Sequence, residues 1–185
     1  MDMFHEEVVI KRNQGLQNLM YALANVLMFL CGGYALVMLN PLIALATQGG
    51  ISSGMVLEII IFLASVATAV ALFLYRDRIK TEYEYTFTNG VLDFAKVFNN
   101  KKRQTLGSMN VKNVEACGYV ASGSFMRYSK MPGVKMVNWF LNREANLFYF
   151  YFVRENSKKM IIIEPSETLV DLIKRSAGAG KFQVN

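Results

Sequence analysis

Between Asn13 and Leu57 the chain carries no Lys, Arg, Asp or Glu. Leu19–Leu39 reads LMYALANVLMFLCGGYALVML. A second apolar run, Met55–Tyr75, reads MVLEIIIFLASVATAVALFLY and is broken by a single charge, Glu58. Each run is close to the ~20 apolar residues that a helix needs to cross a bilayer. The join, LNPLIALATQGGISSG, holds turn chemistry in Asn40-Pro41, Gly49-Gly50 and Ser52-Ser53-Gly54. This predicts a transmembrane helical hairpin over 19–75, with helices at about 19–45 and 54–75, preceded by a cytoplasmic lead-in or short surface helix over 1–18.

Lys and Arg near the helix ends set orientation. Lys11 and Arg12 precede the first run, Arg76, Arg78 and Lys80 follow the second, and the join has none. The expectation is a multi-pass protein of the cell membrane with both termini cytoplasmic. A cleaved signal is disfavoured although Ala44-Leu45-Ala46 has the form of a cleavage site. Asp2, Glu6 and Glu7 make the leading segment acidic, and the apolar run exceeds a ~7–15-residue signal core. Glu58, in the first turn of the second helix, is a candidate intramembrane polar site, although a carboxylate this near an interface also snorkels outward. Gly32-Gly33 and Ala64, Ser65, Ala67, Thr68 and Ala71 provide small surfaces for helix contact, within one chain or between chains.

The net charge of +6 is unevenly placed, since Arg76–Asn185 holds 18 Lys and Arg against 10 Asp and Glu. A basic domain beside a membrane suits anionic headgroups, at roughly 1 kcal/mol per nearby cation. It is equally read as a solubilising surface. Nucleic acid is not expected, because the aromatics read as core residues.

After Arg76 the period changes from helical to alternating. Thr81–Thr88, TEYEYTFT, puts Tyr83, Tyr85 and Phe87 on one face. Asn89-Gly90 is a two-residue hairpin turn and Val91–Phe98 the return strand. Further strands are expected at Arg103–Val111, Ala116–Ala121, Phe125–Lys130 and Lys135–Leu141, the last two being the least regular. Asn146–Val153, NLFYFYFV, is aromatic on both faces, which implies a central or helix-covered strand. Met160–Glu164 follows, then a helix starting at Pro165 with the stripe Leu169, Val170, Leu172 and Ile173. Residues 177–185 read as a loose tail. The fold expected is α+β: the hairpin, then a domain over 76–176 of seven short antiparallel strands, with one of the two least regular segments left irregular, a bent sheet or partly closed barrel capped by the C-terminal helix.

This order resembles the pleckstrin-homology-like (PH-like) fold, in particular membrane-anchored bacterial PH-like proteins in which two transmembrane helices precede the β-domain. The residues that carry the resemblance are YEYTFTNGVLDFAKVFNNKKRQTLGSMNVKNVEA, Tyr83–Ala116, and IIIEPSETLVDLIKR, Ile161–Arg175. The resemblance implies an interaction module. Phosphoinositide-binding members carry bases on the first two strands and a longer first loop. Here that loop is Asn89-Gly90 and no base lies between Thr81 and Ala95. The remaining candidates for headgroup or partner contact are Lys101, Lys102 and Arg103, with Lys158 and Lys159.

Catalytic patterns are missing from the sequence. There is no G-x-S-x-G and no phosphate loop, since Gly178-x-Gly180-Lys181 lacks the strand–loop–helix frame. Cys117 and Cys31 read as free thiols, and the one histidine, His5, leaves no Cys/His metal cluster. The expectation is a non-enzymatic module with no cofactor and no small-molecule substrate, whose partners are the bilayer and a protein or a second copy of itself. The alternative is a subunit of an oligomeric membrane assembly with a structural or transport role.

Overall fold

The computed structural model describes residues 3–48 and 53–183. It divides into two compact units, Asn13–Lys80 and Met1–Arg12 together with Thr81–Asn185.

The first unit is a helical hairpin of α1 (Gly15–Gln48) and α2 (Ser53–Tyr75), with a 3-10 turn at Arg76–Ile79. Helix α1 runs straight through Asn40-Pro41, where a turn was expected. Proline removes one i→i−4 bond, and the helix-forming Leu39, Leu42 and Ala44 around it outweigh that loss. Gly49, Gly50, Ile51 and Ser52 lie outside the described residues. Gly15–Ala44 and Val56–Ile79 are long and apolar enough to cross a membrane. Only 6% and 0% of their apolar windows is buried, so neither is the core helix of a globular protein.

The less exposed face of α1 repeats at helical spacing through Tyr21, Ala24, Met28, Gly32 and Ala35, and that of α2 through Phe62, Ser65, Ala69 and Leu72. Gly33, Ala64, Ala67, Thr68 and Ala71 face outward instead. Polar contacts one turn apart on α1 close the open end of the hairpin. Gln17 Nε2 donates to Ile79 O at 3.1 Å, Tyr21 Oη to Asp77 Oδ1 at 3.3 Å, and Arg76 Nη1 to Asn25 Oδ1.

In the second unit the N-terminal segment departs from the sequence expectation. Phe4–Val9 is a strand, β1, not a lead-in or helix. It pairs antiparallel with β2 (Thr81–Thr88) along its whole length, from Phe4↔Thr88 to Val9↔Tyr83. The hairpin is therefore inserted between two neighbouring strands of one sheet. Strands β3 (Val91–Phe98) and β4 (Lys102–Asn110) complete a sheet in the order β1-β2-β3-β4. Asn89 and Gly90 both have positive φ (49° and 90°), as the expected hairpin turn requires.

The second sheet has the order β6-β8-β7-β5-β9, with β5 (Ala116–Tyr119), β6 (Lys135–Trp139), β7 (Phe148–Arg154), β8 (Ser157–Ile163) and β9 (Phe182–Gln183). It is mixed rather than all antiparallel, because β6–β8 and β5–β9 are parallel. The two sheets do not close into a barrel, and β4 and β6 remain edge strands.

Gly123–Ser129 is a helix, α3, where a strand was expected. Phe125 and Tyr128, three apart, lie on one helical face and pack on Tyr149 and Tyr151. The double-sided aromatic strand β7 is thereby explained. Phe148 and Phe150 enter the main core with Tyr85, Phe87 and Phe94, while Tyr149 and Tyr151 enter a second cluster with Met160 and Ile162. Helix α4 (Glu167–Ser176) adds Leu169, Val170 and Ile173 to the main core. Its N-cap is Ser166, whose Oγ accepts from Leu169 N at 3.2 Å, so Pro165 precedes the cap. The segment after α4 is tied down, with Phe182 stacked on Phe148 at 6.0 Å.

Polar bridges lock β1 into this domain. Glu7 accepts from Ser166 N (3.1 Å) and Ser166 Oγ. Asn142 holds the end of the segment, donating from Nδ2 to Ile10 O (3.0 Å) and accepting at Oδ1 from Arg12 N (2.9 Å). Asn142 is itself fixed by Glu164, which accepts from its N at 3.0 Å and its Nδ2 at 2.8 Å.

Burial pushes the Cys117 thiol up to about 12, against a small opposing pull from Lys181. The thiol of the unfolded chain ionises near 9, so between pH 9 and 12 the folded state holds a proton that the unfolded state has lost. Stability then falls as pH rises through that window, at up to about 1.4 kcal/mol per pH unit for this group. Buried Tyr85 is shifted upward by the same cause and acts in the same direction. The urea midpoint is expected to drop between pH 8 and pH 11, less steeply in Cys117→Ala; a midpoint that rises would contradict this burial.

Candidate functional site

One edge strand of each sheet, β4 and β6, flanks a cleft of about 810 Å³. On β6, alternation turns Lys135, Val137 and Trp139 toward it. On β4 the register breaks opposite Phe94/Ala95, leaving Leu106 as the extra residue of a bulge that lines the cleft. Phe94, Phe152 and Ile161 complete an apolar floor, with the Phe94 and Trp139 rings 4.8 Å apart. Tyr85 pins the wall, donating from Oη to Trp139 O and accepting from Glu164 N at 3.3 Å.

The rim is cationic. Lys135, Arg154 and Lys159 line the cleft, and among the described residues no Asp or Glu does. Lys135 and Lys159 are register partners in the parallel β6–β8 pair. Like charges placed opposite each other destabilise a sheet, which an anion between them would relieve. Arg154 lies 3.9 Å from Glu155, but both side chains are mostly exposed and such a pair is weak. A second hollow of about 500 Å³, beside 119–121 and 143–147, contains one cation, Arg143.

A family model described as Bacterial PH-like domain (DUF6106) matches residues 1–182. The chain belongs to this family of bacterial PH-like domains. The match includes β1 and both helices of the hairpin as well as the β-domain. No curated protein and no solved structure matches the chain significantly.

Within this PH-like domain the five bases singled out from sequence are scattered. Lys101 is in the β3–β4 turn, where Asn99 and Asn100 have positive φ. Lys102 and Arg103 begin β4, and Arg103 Nε pairs with Glu84 Oε2. Lys158 Nζ reaches Pro132 O at 3.5 Å. Of the five, Lys159 alone lines the cleft. Glu58 belongs to the helical unit, exposed in the second turn of α2.

Sequence reading missed Lys135 and Arg154. The alternation of Lys135, Val137 and Trp139 is visible in the sequence. The parallel pairing that sets Lys135 opposite Lys159 has no local signal, because a parallel register is made by tertiary packing. Among the described residues no three His, Cys, Asp or Glu side chains come together as a metal site.

Proposed function

We propose that this PH-like protein is a non-enzymatic, membrane-anchored interaction module, held at the inner leaflet by its hairpin to bind a protein partner or anionic headgroups. The observation that carries the reading is the β1–β2 pairing across the inserted hairpin. Val9 faces Tyr83, so the chain leaves for α1 and returns from α2 at one end of a single strand pair. A segment that leaves and re-enters one folded domain must cross a bilayer an even number of times. Two apolar helices satisfy that condition, and Lys11, Arg12, Arg76, Arg78 and Lys80 at their bases favour the cytoplasmic side.

The test uses the full chain expressed in bacteria. It is expected to stay in the membrane pellet through an alkaline carbonate wash, and protease should reach the β-domain in inverted vesicles but not in right-side-out vesicles. Release by carbonate, or cleavage from the outside, would overturn the reading.

A further inference from the structure

We propose that the β4–β6 cleft takes an extended acidic peptide segment of a partner protein, added as a strand along one of the two free edges. This names the partner class of the module proposed above and rests on that reading. Three observations converge. Both edges are available, since among the described residues β4 pairs only with β3 and β6 only with β8. An unpaired edge presents a row of N–H and C=O groups that an extended chain satisfies. The edge segments that line the cleft, Leu106–Asn110 and Lys135–Trp139, are each long enough for about 17 Å of extended peptide.

The side-chain chemistry selects the occupant. A strand laid in the cleft turns alternate residues toward the floor, where Trp139, Val137 and Phe152 offer apolar contact. Lys135, Arg154 and Lys159 offer three positive charges with no acid among the lining residues. The parallel register sets Lys135 and Lys159 side by side, so an acidic side chain of the occupant meets two cations at once. An alternating apolar and acidic strand answers all of these features together. A lipid headgroup would answer the charges and leave both strand edges unused.

The experiment titrates the full chain, in phosphatidylcholine nanodiscs, with a fluorescein-labelled peptide of alternating Glu and Val, about nine residues long. A chain that remains in buffer without lipid is titrated there. Saturable binding is expected. Lys135→Glu/Lys159→Glu should weaken it by at least about tenfold, equivalent to ~1.4 kcal/mol. The charge-matched Arg127→Glu/Lys130→Glu variant, on α3 and its C-cap outside the cleft, should leave it unchanged. N-methylation of alternate peptide bonds in the probe should abolish binding.

Absence of binding to reconstituted chain would overturn the inference and leave the membrane reading standing. Equal weakening by the two variants, or undiminished binding of the N-methylated probe, would also overturn it. So would binding of phosphatidylglycerol vesicles through Lys135 and Lys159 by a chain that ignores the peptide, a result that would assign the cleft to headgroups.

Discussion

Deleting Phe4–Val9 from the full chain is expected to lower the stability of the β-domain by on the order of 3–5 kcal/mol. These residues form the entire β1 ladder against β2. They also bury Val9 in the main core and supply Glu7, which holds the backbone N–H and hydroxyl of Ser166 at the start of α4. Burial of one valine contributes about 1.5–3 kcal/mol. A hydrogen bond contributes about 1 kcal/mol and one to a charged group up to about 3. Strand pairing adds to these, and chain entropy offsets part of the sum. Since a domain is stable by only about 5–15 kcal/mol, the loss should bring it near its unfolding threshold at 37 °C. Glu7→Ala, which keeps the ladder, should lose roughly 1–2 kcal/mol by the same reasoning. Urea denaturation in neutral-lipid nanodiscs, read by the fluorescence of Trp139, checks both. An unchanged midpoint on deletion would mean that the segment is only a leader to the first helix.

β1 illustrates where the sequence stops being legible. FHEEVV has adjacent acids and a short apolar end, and its partner Tyr83–Thr88 lies across the whole hairpin. Alternation inside six residues is too short to distinguish a strand from a surface helix, and only tertiary pairing decides. The same holds at Phe125–Lys130, where two aromatics fit either period and packing on Tyr149 and Tyr151 selects the helix. Where the signal was local, reading was direct. Thr81–Thr88, the Asn89-Gly90 turn and Val91–Phe98 appear with the expected bounds. The apolar stripe of α4 faces the core as its spacing implied, with Leu172 partly buried, and the helix starts at Glu167, two residues after Pro165. The cleft was least legible. Lys135 and Lys159 are brought together by a parallel pair, Arg154 by the β7–β8 turn, and the apolar floor by both sheets.

The second large effect concerns the hairpin. If it is an insertion into a self-sufficient domain, residues 13–80 are dispensable for the β-fold and indispensable for location. The buried main core consists of residues from β1, β2, β3, β5, β7, β8, α4 and the β4–β5 connection, all outside 13–80. The ends to be rejoined are close in the sheet, because Val9 pairs with Tyr83. A flexible linker of about eight Gly and Ser residues reaches from Arg12 to Thr81 without strain. The measurement is made on this replacement chain, by fractionation and by a urea melt. A water-soluble protein that unfolds in one cooperative step is the expected result. A chain that still sediments with membranes, or that shows no cooperative transition, would contradict the account of a PH-like domain carrying its membrane anchor as an insertion between β1 and β2.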